Sequence, residues 1–521
     1  MKSNVRACGA AAAAALAMVV LGAGCGSPSG SPAAESSDSI QSGGAAPRAP
    51  SGAALVDPSR GQGLALGIVS GRIYDDLAAH AAERMRDLGA LGVRILRIEI
   101  ERTTPWSTYE TLAEAAFESG IDVLPLVSMN SVPGAPNPMD GSLASFDATY
   151  VPAYIATVDE TMAHLPHARF VEVWNEPNGF GFFPMADSFL GRCIPRAGAT
   201  RYALLATRVF ETMSERRAHG IATPQVVAFG ISRQDDVCVR SALFESEPVR
   251  NHRRYYRAPR HMPDGLPTDI VDIHAYGNTP TPNVPGYTNQ GGKFADGVND
   301  FLSLRFADNG HRVIGESPVW YTEFGYGLQQ LHGPDPGRAQ ADALAYVANE
   351  LRKHPEVTAA FWYDYRDDEA VAGSEGNRMG VRGDSRSGFA AHPSYVAYQA
   401  EAVASGDHVA PVGEVTAFAD GVTVAPGARL DVAGWSIDAD GSAPSIAIAV
   451  DGAEAARTVD GAAPNPAACA AAFSARCPNV GFASSFSAPA APGTHAVTVI
   501  ARDAAGNGRT LATASIVVSG S

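Results

Sequence analysis

Lysine is almost missing from this chain. Among 39 Lys and Arg residues only Lys2, Lys293 and Lys353 are lysines, and 55 acidic residues leave a formal net charge of -16 over 521 residues. A nucleic acid or an anionic membrane needs a basic face, so this balance speaks against both as partners. Long apolar runs are missing too. Residues 10–21 form a stretch of 21 − 10 + 1 = 12 residues, too short to cross a bilayer as a helix. Cysteine is scarce, six in all, with no pair of short spacings of the kind that builds a zinc site. No convincing Gly-rich phosphate turn follows the first strand-like run, where Gly67-Ile-Val-Ser-Gly71 stands, and this removes the main support for a doubly wound open sheet. Hydrophobic residues still make up 45%, enough for a full globular core.

The first residues read as an address. Lys2 and Arg6 precede the apolar stretch, and Gly22-Ala-Gly-Cys25 follows it. Residues 1–25 are therefore expected to be a signal peptide. The segment resembles a bacterial lipoprotein signal, with Cys25 as the residue to be lipidated and Gly22 standing where Leu is usual. Residues 26–57, rich in Ser, Gly, Ala and Pro, should form a flexible tether. The expectation is an exported protein at the outer surface or in the periplasm, touching a membrane only through a lipid at Cys25. Ordinary secretion is the other reading. Without Cys8 and Cys25, four cysteines remain and allow three pairings. Proximity favours Cys469 with Cys477, leaving Cys193 with Cys238.

From residue 63 onward, strand-like runs alternate with helical patterns. Strands are expected at 64–68, 93–100, 121–127, 170–174, 225–229, 270–274, 319–324 and 359–363. Helices are expected at 75–88, 109–119, 150–164, 200–219, 297–308, 338–353 and 393–403, with Gly89, Gly120 and Gly220 closing the first, second and fourth. Eight such repeats argue for a (β/α)8 TIM barrel over 58–405, which is 405 − 58 + 1 = 348 residues. Residues 411–521 change character, with short alternating runs between Gly, Pro and Asp-Gly turns and no helical period. A small C-terminal all-β sandwich is expected there, with Trp435, Asp451-Gly452 and Gly481-Phe482 as core and turn markers.

Two of the strands end in a glutamate. Phe170-Val-Glu-Val-Trp-Asn-Glu-Pro-Asn178 places Glu176 after the fourth, and Val319-Trp-Tyr-Thr-Glu-Phe-Gly-Tyr326 places Glu323 on the seventh. In a barrel the working residues sit at the C-terminal ends of strands, and two carboxyl groups are what glycoside hydrolysis needs. Pro177 should push Glu176 out of the helical region into an extended one. Trp174-Asn-Glu-Pro177 and Thr322-Glu-Phe-Gly325 resemble the two signatures of glycoside hydrolase clan A, the retaining (β/α)8 glycosidases, with families 39 and 5 the nearest. The resemblance implies Glu176 as acid/base, Glu323 as nucleophile and Asn175 as the group that grips the sugar 2-hydroxyl. It also implies Arg97 as the support of the nucleophile, His274 and Tyr276 as a His-x-Tyr pair, and Trp362 as the floor of the sugar site. Met379-Gly-Val-Arg and Ala391-His-Pro-Ser-Tyr395 resemble the clan's last loop and helix start.

Other residues read two ways. Trp106, Phe180, Phe182 and Phe183 could stack on sugar rings or pack their loops. Glu172, inside its strand, is expected to pair with a buried arginine. Glu99 and Glu101 could contact substrate or belong to a structural network. The run Asp364, Asp367, Asp368 and Glu369 could ligate calcium, with an Arg-paired loop the stronger reading. The expectation is a monomeric retaining β-glycosidase acting on an oligo- or polysaccharide, with no cofactor and no metal. A non-catalytic glycan-binding barrel and a transglycosylase using the same residues are the alternatives.

Overall fold

The computed structural model describes residues 63–70, 78–134, 137–179, 183–189, 192–231, 237–244, 246–256, 266–274, 317–331, 334–369, 378–405, 410–418, 420–438, 442–459, 461, 463–471, 476–504 and 507–520. The leader, Cys25, the tether, Phe180, Phe182, Tyr276 and the helix expected at 297–308 lie outside these residues, as do the side chains of Cys193 and Cys238. No helix among the described residues is long and apolar enough to cross a membrane.

Eight parallel strands close into a barrel in chain order: Ala65–Val69, Ile95–Ile100, Asp122–Val127, Phe170–Val173, Gln225–Ala228, Ile270–His274, Val319–Phe324 and Val357–Trp362. The last pairs with the first, Ala65 opposite Ala359. Each is short, apolar and rich in β-branched residues because a parallel strand is buried on both faces. Alternate residues build two cores. Val69, Ile95, Leu124, Phe170, Val227, Ile270, Trp320, Ala359 and Phe361 fill the barrel interior. Their neighbours along each strand, such as Leu96, Val171, Val271, Tyr321 and Trp362, face the surrounding helices in a second, larger core.

The helices fall where the apolar period placed them, with two differences. The first runs over Ala81–Leu91, and its left-handed cap is Gly92 at φ 86°. Gly89, expected to close it, lies inside it. A Cβ there would stand 2.4 Å from Val412 Cγ1, so the glycine serves a close approach and not a helix stop. After the fifth barrel strand two helices follow, Val237–Phe244 and Glu247–Tyr256. A short hairpin, Ala186–Phe189 with Arg192–Pro195, decorates the loop after the fourth strand.

The last helix and last loop are tied to the first helix by a buried acid. Asp87 accepts from Arg382 through Nε at 2.6 Å and through a second nitrogen, from Tyr365 at 2.6 Å and from Tyr395 at 2.8 Å. Arg382 and Tyr395 are therefore structural within the two segments that resemble the clan's last loop and helix.

The C-terminal region is a sandwich. Strands Val412–Ala417, Arg429–Ile437 and Gly481–Ser487 form one sheet. Val422–Val424, Gly508–Val518, Gly493–Arg502, Ser445–Val450 and Ala453–Val459 form the other. Val432, Phe482 and Phe486 of the first share a core with Ile446, Ile448, Val497, Val499 and Ile516 of the second. One short helix, Pro466–Ala471, interrupts the all-β pattern, and the expected Cys469–Cys477 disulfide links it to the segment before the last strand of the first sheet.

Candidate active site

The fourth barrel strand ends in two left-handed residues, Trp174 at φ 72° and Glu176 at φ 40°. Glu176 is thus not extended, as its position before Pro177 predicts. Its carbonyl accepts from Gly179 N at 2.7 Å, a turn with proline at the second position, and the chain reverses on the residue itself. Phe229, after the fifth strand, is also left-handed, at φ 81°. Non-glycine residues in this region cluster where a structure holds a side chain in a demanded direction. Here Trp174 turns outward against Tyr154 and Phe183, and Asn175 and Glu176 turn toward the mouth.

Glu323 is re-aimed by a bulge. Against the sixth strand, Ile273 faces Tyr321 and His274 faces Glu323; against the eighth, Ala360 faces Tyr321 and Trp362 faces Phe324. On both sides the seventh strand has one residue more than its neighbour at Thr322–Glu323. Strict alternation would send Glu323 outward with Tyr321. The extra residue turns both Thr322 and Glu323 inward, to Asp272 and Arg97.

Arg97 organises the charges. It is 2% exposed, projects from the second strand, and donates to Glu172 through Nε at 2.5 Å and a second nitrogen at 2.7 Å. It also donates to Glu323 at 2.5 Å and to Asn175 Oδ1 at 3.0 Å. Burial works against the guanidinium charge, but Glu172 and Glu323 outweigh it and hold Arg97 well above its usual range. Glu172 is the buried partner expected of it; burial pushes its carboxyl up, and Arg97 more than compensates and lowers it.

His274 stands between the two mouth acids. Its Nδ1 lies 3.3 Å from Glu176 Oε1 and 3.6 Å from Glu323 Oε2. Burial disfavours the imidazolium, but Glu323, Glu172, Glu176 and Asp272 together raise it well above the usual histidine range. Beneath it Asp272, fully buried, is pushed up to about 8 by burial and then by Glu172. Asp272 was not among the residues singled out from sequence; its place two residues before His274, on the same inward face, is the signal that could have found it.

The remaining expected residues divide. Trp362 belongs to the outer core, fully buried, its Nε1 donating to Met379 O at 2.9 Å and its ring edge-on to Phe324. The aromatic that faces the interior at this strand end is the next residue, Tyr363, partly exposed against the inner layer. An interior platform at Trp362 is therefore corrected by one position, the shift that strand alternation imposes. Trp106 does not join the acids. Its indole donates to Glu160 at 3.2 Å and stacks on His164 at 4.4 Å in the helix layer. Phe183 packs the loop, fully buried against Trp174 and Tyr202. Glu99 accepts from Ser128 at 2.8 Å. Asp367 accepts from Gly380 N and pairs with His392, each at 2.9 Å.

Among the described residues, two sets of three metal-capable groups bring donor atoms within 4.8 Å: Glu172, Asp272 and His274, and Glu176, His274 and Glu323. Arg97 already occupies both oxygens of Glu172 and one of Glu323, so these acids draw their positive charge from the chain itself.

Fold and site together define a closed parallel barrel with two glutamates, an asparagine, an arginine and a histidine gathered at the C-terminal end of its strands. No known family pattern matches the sequence, and no curated protein matches it. Solved structures are similar in fold at low identity. The virulence factor SghA from Agrobacterium tumefaciens is 14% identical with a TM-score of 0.40, over 66% of this chain and 97% of its own. Xylanase 10B from Thermotoga petrophila in complex with xylobiose is 12% identical with a TM-score of 0.43, over 67% and 97%. A β-glucosidase from Thermotoga maritima is 14% identical with a TM-score of 0.41, over 63% and 86%.

Proposed function

We propose that the protein is an exported retaining β-glycoside hydrolase acting on an oligo- or polysaccharide, lipid-anchored at Cys25. The observation that carries the reading is the convergence of Glu176 and Glu323, an oxygen of each within 4.8 Å of the other at the barrel mouth. Retaining enzymes hold their two carboxyl groups about 5–5.5 Å apart, whereas inverting ones leave about 6.5–9.5 Å for a water. Glu323 attacks the anomeric carbon as Glu176 gives its proton to the glycosidic oxygen. The carbon–oxygen bond breaks, the protonated leaving group departs, and a glycosyl ester remains on Glu323. Water then yields a proton to Glu176 while its oxygen bonds to the anomeric carbon and releases Glu323. Arg97 steadies the Glu323 oxygen that does not attack, Asn175 meets the 2-hydroxyl, and Tyr363 presents a ring to the sugar.

The test is a panel of chromogenic glycosides. Glu323→Gln should abolish turnover. Glu176→Ala should keep activity on substrates with good leaving groups and be rescued by azide. Full activity of either variant, or glycan binding by the wild type without any turnover, would overturn the reading.

A further inference from the structure

Behind His274 lies a carboxyl group that the double displacement does not use. Asp272 is fully buried, and its Oδ1 accepts from Thr322 Oγ1. Its Oδ2 is buried with no hydrogen-bond partner among the described residues, and Gly230 sits so close that a Cβ there would meet this oxygen at 2.0 Å. An ionised oxygen in such a place has nothing to solvate it. Glu172 is a second acid in the same cluster, within 4.8 Å, and two carboxyl groups at that range do not both ionise readily. Arg97 is bidentate with Glu172, so Glu172 is the member that carries the charge.

His274 links this cluster to the mouth. Its Nε2 points at Asp272 Oδ1, 3.8 Å away, and at Glu172 Oε1, 3.7 Å away, while Nδ1 points at Glu176 and Glu323. We propose that Asp272, oriented by Thr322, is a positioning residue that works as a neutral acid and sets the charge and direction of His274 between the two mouth glutamates. The groups facing His274 are Glu172 and Glu176 from the fourth strand and its turn, Glu323 from the seventh, and Asp272 from its own. Those facing Asp272 are Glu172, His274, Thr322 and Arg97. While Asp272 holds its proton, the imidazole meets one anion on its inner side. When Asp272 loses it, the inner side holds two, and the ring is drawn away from the mouth.

The proposal rests on the glycosidase reading for its consequence but not for its main test. The titration of His274, followed by imidazole NMR in the full chain, is compared between wild type and Asp272→Asn. Asn is the neutral isostere, so His274 should carry the same charge in both proteins while Asp272 holds its proton. Only above about pH 8, where wild-type Asp272 ionises, should the variant lose the His274 proton earlier, by about one unit. A folded Asp272→Asn variant whose His274 loses its charge already below that range, or whose titration matches the wild type throughout, would overturn the proposal, whether or not the protein turns over a glycoside. Where turnover is found, Asp272→Ala should lower kcat on the order of 10²-fold with little change in KM, because it misplaces His274. Asp272→Asn should recover most of that loss and no longer show the wild-type fall in rate as Asp272 ionises. An alkaline limb identical in both proteins would count against it equally. Should Asp272→Ala fail to fold, Thr322→Val, which removes only the orienting hydroxyl, provides the same two measurements.

Discussion

Arg97 holds three acceptor residues at once, and its chemistry is that of a planar fork. Lysine offers a point charge and cannot span both oxygens of Glu172 while reaching Glu323. Arg97→Lys should therefore lower kcat/KM on the order of 10²-fold through misplacement of Glu323 and Asn175, read on the best chromogenic substrate. Arg97→Met takes from buried Glu172 its bidentate partner and should cost about 3–5 kcal/mol by urea titration. The same cluster sets a pH dependence of stability. Asp272 is raised from 3.8 to about 8, so between those values the folded chain keeps a proton that the unfolded chain has released, and its stability falls as pH rises. His274 is raised above 6.5, so its contribution is full below that pH and is lost as pH climbs through the raised value. Both signs agree. Thermal midpoints at about pH 5.5 and about pH 9 should show the lower value in alkali, with Asp272→Asn flattening the difference; a wild-type midpoint that rises across this interval would contradict the assignment.

At the scale of elements, the eighth strand separates two aromatic roles. Trp362 is a core residue, and Trp362→Ala should cost about 3–5 kcal/mol with the melting temperature as its readout. Tyr363 faces inward, and Tyr363→Ala should raise KM while leaving the melting temperature nearly unchanged. The opposite pattern, with Trp362 controlling KM, would restore the ring assignment that the motif resemblance implied. The first helix carries a comparable test. Asp87→Asn leaves Arg382 buried without its anion, and the breaking of such a pair costs about 3–5 kcal/mol. Its readout is the denaturation midpoint.

For the whole molecule, the relation of sandwich to barrel decides what the second domain can do. Ala90 of the first helix shares a core with Val412, Trp435, Ile437, Ala468 and Val480. Arg86 lies 5.7 Å over the Trp435 ring, and Arg509 donates to Ser119 O at the end of the second helix. A barrel helix runs against its strands, so these helix C-termini sit at the end opposite the mouth. The sandwich therefore docks on the floor of the barrel, away from Glu176 and Glu323. Trp435→Ala should remove about 3–5 kcal/mol from this seam and split one calorimetric transition into two. Gly89→Ala, which sets a methyl 2.4 Å from Val412 Cγ1, should move the transitions in the same direction by less.

Eight strands, most of the helices and the location of both glutamates could be read from the chain, because burial on two faces and a 3.6-residue period leave their mark in every local window. Glu172 as a partner of buried arginine was legible in the same way, from an acid on an apolar strand. What local windows do not carry is direction. The extra residue at Thr322–Glu323, the left-handed turns at Trp174 and Glu176, and the choice of Tyr363 over Trp362 all depend on where neighbouring strands stand. Asp272 as a neutral acid and Gly89 as a docking point depend on atoms far along the chain or in another domain. Sequence alone determined the elements and the chemical groups, since hydrophobic period and side-chain type are local. Only the tertiary structure decided which groups meet, since register and burial are properties of the closed barrel.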